Sequence, residues 1–136
     1  MGQLASGVSD IFSGIGDLFA ASGYAEAAGF AKKNAQYEKL STGIQLDQAN
    51  RKAYELAGTT EAAAGANNLS LSGSAMDVMK ANASQMSLNK NLTALQGQIE
   101  VNAWNEKAAA DSAQAAAETA AGIGNIAGGI LGIFGL

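Results

Sequence analysis

Residues 66–77 read ANNLSLSGSAMD, and this polar stretch decides the fold because it interrupts a chain that is otherwise suited to long helices. The chain has no proline, so nothing on either side of the stretch strongly breaks a helix. Asn, Ser and Gly are typical of turns. After Gly73, Ser74 as an N-cap and Asp77 at N3 predict where a second helix begins. The sequence therefore predicts an all-α protein with two long helices joined at a hinge near 66–74.

Outward from the hinge, composition divides the chain into three segments. An N-terminal amphipathic arm covers 1–22, a helical hairpin covers 23–118, and a glycine-rich hydrophobic tail covers 119–136. Within the hairpin segment, the periodicity predicts helices at about 24–64 and 75–119. The two helices either fold back on each other or extend through the hinge, and the cap at Ser74 favours a bend.

The N-terminal arm carries its large apolar residues at steps of three and four, which places them on one face of a helix. These residues are Leu4, Val8, Ile11, Phe12, Ile15, Leu18 and Phe19. The opposite face carries Asp10 and Asp17. Helices that lie on membranes usually have a basic polar face, so we expect this apolar face to dock onto a partner helix, with lipid contact as the alternative.

The tail, TAAGIGNIAGGILGIFGL, has no charged residue over its eighteen positions, the lower limit for crossing a bilayer. Gly124, Gly128 and Gly132 form two overlapping GxxxG patterns, which allow helices to approach closely in lipid. The residues predicted to contact a membrane beside these glycines are Ile130, Leu131, Ile133 and Phe134. The alternative is a flexible plug packed inside a larger assembly, because so many glycines weaken a helix in water.

Two apolar seams follow the predicted helices. Leu88, Leu92, Leu95 and Ile99 alternate steps of four and three on the second helix. On the first helix, Phe30, Tyr37, Leu40 and Ile44 give way to a second register formed by Leu46, Ala49, Ala53 and Leu56. A helix that changes register along its length fits several neighbours better than one coiled-coil partner. We therefore expect a homo-oligomer, with a ring as the favoured arrangement.

Composition excludes several kinds of chemistry. With no His and no Cys, the chain has no Cys/His zinc site, no thiol nucleophile and no Ser-His-Asp triad. The net charge of −4 argues against sequence-specific or other direct binding to duplex DNA. The acidic residues are expected on solvated helix faces, and no phosphate-binding loop is present. We predict no catalytic, cofactor-binding or metal-binding residues, no cofactor and no enzymatic activity.

The central block from about 35 to 106 resembles a known family. The residues that carry the likeness are NNLSLSGSAMDVMKANASQM at 67–86, with the Gly-Ser-x-x-Asp turn of Gly73, Ser74 and Asp77, and then Gln96, Gly97 and Gln98. Together they resemble the small internal virion proteins of short-tailed bacteriophages, the podovirus internal core protein family. The likeness covers roughly half of the chain, and it departs from the family at the end, where this chain has ILGIFGL instead of a charged tail.

The resemblance implies a DNA-ejection protein. Such a protein is packed in the virion interior near the portal, beside other internal virion and portal proteins, and is released into the host cell envelope to help form a channel for the genome. The alternative within the virion is a purely structural core, collar or portal-associated plug with no membrane role. A secreted pore-forming toxin is a third and weaker reading, because no basic residue precedes Lys32 to form the start of a secretory signal.

Overall fold

The computed structural model describes residues 2–67 and 73–134, and it confirms the all-α prediction. Helix α1 covers Gly2–Ala66 and helix α2 covers Ser74–Phe134. The two long helices pack against each other. Part of the predicted hinge, residues 68–72, lies outside the described residues, as do the last two residues of the predicted tail and the side chains of Leu4 and Ser74.

The ends of the helices flank the predicted hinge. At the end of α1, the Asn67 backbone N–H and side-chain amide both donate to the Ala63 carbonyl, at 3.2 and 2.9 Å. Gly73 has a φ of 68°, which glycine adopts without steric strain. The Gly73 carbonyl accepts the Asp77 N–H at 3.2 Å. The first hydrogen bond of α2 therefore starts at Gly73, one residue before the predicted cap at Ser74.

Neither the arm nor the tail is a separate helix. Helix α1 continues through residues 22 and 23, and α2 continues through 118 and 119. Gly23 is less favourable in a helix than alanine by only about 1 kcal/mol, which its helical neighbours can absorb. The boundaries predicted at 22 and 119 are therefore changes of composition and not breaks in the backbone.

The chain divides into two compact units. Unit 1 is Met1–Ala35 with Ala103–Leu136, and unit 2 is Gln36–Asn102. In unit 1, Gly7 meets Gly129 and Gly14 meets Gly122, so the contact residue rises along α1 as it falls along α2. The two helices are therefore antiparallel here, as the hairpin form of the prediction requires.

Small residues that repeat every seven positions hold unit 1 together. On α1 they are Gly7, Gly14, Ala21, Ala28 and Ala35, and on α2 they are Ala108, Gly122 and Gly129, all of them buried. A Cβ added to Gly14 would lie 2.5 Å from the Gly122 carbonyl oxygen, and a Cβ added to Gly129 would lie 2.5 Å from the Gly7 carbonyl oxygen. A seven-residue repeat keeps one face of each helix against its neighbour, and small side chains let the two backbones approach closely.

Unit 2 is also antiparallel but less tightly packed. A Cβ added to Gly97 would collide with the Thr42 side chain, so these two residues mark a close crossing. Farther along, Ala53 and Leu56 of α1 and Met79 and Met86 of α2 line a groove of about 280 Å³. Over the described part of both units, the only buried hydrophobic side chains are alanines.

Candidate interaction surfaces

Large apolar side chains lie on the outside of this protein, and small ones lie between its helices. Ala31 is 1% exposed, whereas Phe12, Phe19 and Phe134 are 70%, 76% and 74% exposed. A soluble domain normally buries its large apolar side chains, because each contributes about 1.5–3 kcal/mol when it leaves water. The helix pair alone leaves this stabilisation unused, so its outer surfaces are candidates for contact with lipid or protein.

Over residues 8–19 of α1 and 123–134 of α2, one side of unit 1 is apolar on both helices. Ile11 and Leu18 of α1 lie over Gly129 and Gly122, since a Cβ on those glycines would be 2.8 Å from Ile11 Cγ1 and 3.0 Å from Leu18 Cγ. Ile133 and Ile126 of α2 cover Gly7 and Gly14 in the same way, at 2.8 and 2.6 Å. Outside these residues come the exposed Val8, Phe12, Ile15 and Phe19 of α1 and Ile123, Ile130 and Phe134 of α2. We call these eleven residues the apolar side of unit 1.

The same set can be derived from helix geometry. Gly7 and Gly14 face α2, and Gly122 and Gly129 face α1. On each helix, consider the residues one and five positions after a glycine that meets the other helix. Around the helix axis they are rotated from that glycine by about 100° and 140°, in the same sense. In an antiparallel pair with matched contact positions, this rotation brings both helices' residues to the same side. Most of the large apolar residues predicted in the arm and the tail therefore form one surface.

The other side of unit 1 is polar except for Leu131, which is 51% exposed and lies two residues after Gly129, as Gly124 lies two residues after Gly122. The Asn125 side-chain amide donates to Asp17 Oδ2 at 2.9 Å, which ties the two helices together on this side. Asp10 and Ser13 are exposed on the same side of α1. We call Ser6, Ser9, Asp10, Ser13 and Asp17 of α1, with Gly124, Asn125 and Gly128 of α2, the polar side of unit 1.

The glycines that bring the helices together are not those of the predicted GxxxG patterns. A Cβ on Gly124 or Gly128 would meet nothing within 4 Å, and one on Gly132 would lie 3.8 Å from the Gly7 Cα. Close approach within the chain instead uses Gly122 and Gly129, which are seven residues apart. The sequence carried this signal in the repeat of small residues at 7, 14, 21 and 28 on α1.

The predicted seam on α2 does not face α1. Leu88, Leu92, Leu95 and Ile99 are 55–65% exposed. Between them, Gly97 is buried against Thr42 of α1, and Thr93 is half-buried. On α1, Phe30, Tyr37, Leu40 and Ile44 are likewise exposed. In the second register, Leu46, Ala49 and Ala53 are half-buried, whereas Leu56 is 45% exposed. We call Tyr37, Leu40 and Ile44 edge 1 of unit 2, and Leu88, Leu92, Leu95 and Ile99 edge 2.

Glu38 of α1 lies against Glu100 of α2 inside unit 2. A hydrogen bond that the protonated Glu38 carboxyl donates to the Glu100 carboxylate is the main cause that raises the pKa of Glu38, followed by desolvation and repulsion between the two carboxyl groups. Elsewhere, the ion pairs Arg51–Asp47 and Lys107–Asp111 each join residues four apart on one helix. Within residues 2–67 and 73–134, no group of three or more acidic side chains is placed to hold a metal ion.

The described part of α2 includes a segment, within Met76–Phe134, that is long and apolar enough to cross a membrane. A core helix of a soluble protein can be equally long and apolar, but only 11% of this segment is buried. Searches against protein families, curated protein sequences and solved structures gave no match to the chain.

Proposed function

We propose that this protein is a self-associating assembly protein whose unit 1 enters a lipid bilayer with its apolar side toward the acyl chains. The observation that carries the proposal is the inverted packing, in which alanine and glycine join the helices while phenylalanine, isoleucine and leucine face outward. A helix pair with this arrangement gains little stability from apolar burial while it stays alone in water. It gains the most stability when lipid or another protein covers its outer apolar surface.

Lipid suits the apolar side of unit 1 because none of its eleven residues is charged or polar. The uncharged end of α2, Thr119–Phe134, spans about 24 Å at 1.5 Å per residue, slightly less than a hydrocarbon core of about 30 Å. Both helices contribute to this surface, so the predicted arm and tail would insert together as one packed pair. The proposal thus replaces a single membrane-spanning tail with a two-helix insertion unit.

The polar side of unit 1 is equally important to the proposal. Asp10 lies within the same length of helix as the uncharged end of α2, and a carboxylate facing lipid is strongly unfavourable. Several copies that turn their apolar sides to lipid and their polar sides inward would keep Asp10 in contact with water. The copies would then enclose a water-filled path.

The resemblance to podovirus internal virion proteins supplies the biological setting of the proposal. In that setting the chain is packed near the portal with other internal virion proteins, leaves the particle with the genome and joins a channel in the host envelope. A structural plug would use the same apolar side against other virion proteins. Lipid binding separates the two roles, because a plug has no need to enter vesicles.

Flotation with phosphatidylcholine vesicles tests the lipid contact. The full chain should float with the vesicles, and the triple variant Phe12→Ser, Phe19→Ser, Phe134→Ser should remain with the soluble fraction. A matched control replaces exposed apolar residues of unit 2 outside edge 1 and edge 2, Tyr54→Ser with Val78→Ser, and should float like the parent. Circular dichroism checks that all variants keep their helices, which is expected because every replaced side chain is largely exposed.

The flotation results distinguish lipid insertion from the structural plug. If the parent protein fails to float, the lipid role is wrong and the structural plug is favoured. If both variants float equally well, binding does not use the apolar side of unit 1. Binding should not require anionic lipid, because the polar side of unit 1 is acidic and burial of apolar surface is the driving force.

A further inference from the structure

We infer that edge 1 and edge 2 of unit 2 bind each other between copies of this chain, in a head-to-tail contact that joins α1 of one copy to α2 of the next. The inference specifies the self-association in the proposed function and does not depend on the lipid contact. The partner is a second copy in the same orientation, and the residues that meet belong to edge 1 of one copy and edge 2 of the other.

The two edges point in opposite directions. Thr42 and Gly97 meet between the helices, so each marks the inward direction on its own helix. Leu40 and Ile44 lie two residues before and after Thr42, and Leu95 and Ile99 lie two residues before and after Gly97. Two residues correspond to a rotation of about 200°, so all four side chains point away from the opposite helix. Their exposure, from 51% to 65%, agrees with this direction.

The two edges also lie at the same level of unit 2. Because Thr42 meets Gly97 and the helices are antiparallel, Leu40 is level with Ile99, and Ile44 is level with Leu95. A second copy placed beside the first, in the same orientation and without a shift along the helix axis, therefore brings its Leu95 and Ile99 against Ile44 and Leu40. The two residues of each pair, Leu40 with Ile44 and Leu95 with Ile99, are four positions apart, so both contacts can form at the same time.

Charge argues that protein covers these edges and not lipid. Lys39, Asp47 and Arg51 flank edge 1, and their charges would be strongly unfavourable inside a bilayer. Edge 2 is bordered by Asn91, Gln96 and Gln98, which are uncharged and can both donate and accept hydrogen bonds. Every copy carries both edges, so a second copy can cover Leu40 and Ile44 with its Ile99 and Leu95. In the same register, its Leu88 and Leu92 are level with Arg51 and Asp47.

A contact between two different surfaces has a definite consequence for assembly. It leaves one free edge 1 and one free edge 2 in any open chain of copies, so addition continues until a ring closes or a filament grows. A contact of edge 1 with edge 1 would instead stop at a dimer. The two kinds of contact can therefore be distinguished by whether edge 1 of one copy lies against edge 2 or against edge 1 of another copy.

Disulfide crosslinking between two single-cysteine variants tests the inference, because the natural chain has no cysteine. Ile44→Cys carries a size tag and Leu95→Cys does not, and both full-length proteins are mixed and oxidised with copper phenanthroline. A disulfide requires Cα atoms within about 4.4–6.8 Å, so only directly facing positions react. We expect a mixed dimer of intermediate size, and little product when either variant is oxidised alone.

Two further samples sharpen the test. The double variant Ile44→Cys, Leu95→Cys should form a ladder of oligomers, since its two cysteines point apart and cannot join within one chain. Glu61→Cys mixed with Leu95→Cys is the control, because Glu61 is exposed but belongs to neither edge, and it should give no mixed dimer.

Contrary results overturn the inference in distinct ways. Efficient dimerisation of Ile44→Cys alone would show an edge 1 to edge 1 contact. A monomer mass in light scattering, with no crosslinked product in any mixture, would show that the edges do not bind copies. Either result leaves the vesicle flotation of the parent protein unaffected, so failure of this inference is distinguishable from failure of the lipid proposal.

Discussion

Replacement of Gly14 by alanine tests the close packing of unit 1, with Gly16→Ala as the matched control. Both substitutions place alanine in the same turn of α1 and gain about 1 kcal/mol of helix propensity. A Cβ at Gly16 meets nothing within 4 Å, whereas a Cβ at Gly14 would lie 2.5 Å from the Gly122 carbonyl oxygen and 2.6 Å from Ile126 Cγ1. The carbonyl belongs to the backbone and cannot rotate aside, so the helices must separate.

The expected difference between the two variants follows from this contact. Overpacking of a close interface costs about 1–3 kcal/mol, and the propensity gain cancels in the comparison. An unfolding entropy of about 2.1 cal/mol/K per residue gives roughly 0.29 kcal/mol/K for 136 residues. Gly14→Ala should therefore melt about 3–10 °C below Gly16→Ala when thermal unfolding is followed by circular dichroism. Equal melting temperatures, or a more stable Gly14→Ala, would refute the close approach of the helices at this position.

Three further predictions concern polar groups. The pKa of Glu38 is higher in the folded than in the unfolded chain, so the associated stability is present at low pH and lost as pH rises through the folded pKa. Thermal unfolding should show a melting temperature that rises from pH 7 toward about pH 4, and Glu38→Gln should flatten that rise. Asn125→Ala removes the hydrogen bond to Asp17 and should lower the free energy of unfolding by about 0.5–1.5 kcal/mol relative to Asn105→Ala, at an exposed position of α2, in urea denaturation. Asp10→Asn should move the reversal potential of bilayer currents, recorded in a KCl gradient, toward lower cation selectivity, and an unchanged potential would place Asp10 outside the conducting path.

Much of the fold could be predicted from the sequence because turn-forming Asn, Ser and Gly residues follow one another in a single interior stretch. The absence of proline and the polar stretch at 66–77 were sufficient to predict two long helices and their separation. The continuity of α1 through Gly23 was missed because composition changes there more sharply than helix propensity does. The continuity of α2 into the tail was left open for a different reason, because the many glycines there weaken a helix in water.

The contact between the helices was harder to predict. Periodicity searches give most weight to large apolar residues, so Leu88, Leu92, Leu95 and Ile99 were identified as a seam without a way to tell which partner they face. The helices in fact meet through glycine and alanine, whose burial contributes little per residue. Gly122 and Gly129 act through close approach of the backbones, which becomes visible only when the opposing Gly14 and Gly7 are placed against them.

The apolar side of unit 1 also depended on the structure. The sequence showed two apolar ends, and each was a candidate for lipid or protein contact by itself. Only the antiparallel packing of Gly7 against Gly129 brings the two ends into one surface and sets Asp10 and Asp17 on the opposite side. The two-sided character of this unit therefore belongs to the tertiary arrangement and not to either helix alone.

The most direct test of the central claim is the accessibility of nitroxide labels on the vesicle-bound protein. Single cysteines at Phe12 and Phe19 on the apolar side, and at Ser13 and Gly128 on the polar side, are labelled and compared for relaxation by oxygen and by a water-soluble nickel complex. We expect labels at Phe12 and Phe19 to be relaxed mainly by oxygen, and labels at Ser13 and Gly128 mainly by the nickel complex. Equal accessibility on both sides, or nickel access at Phe12 and Phe19, would contradict insertion of unit 1 with its apolar side in lipid.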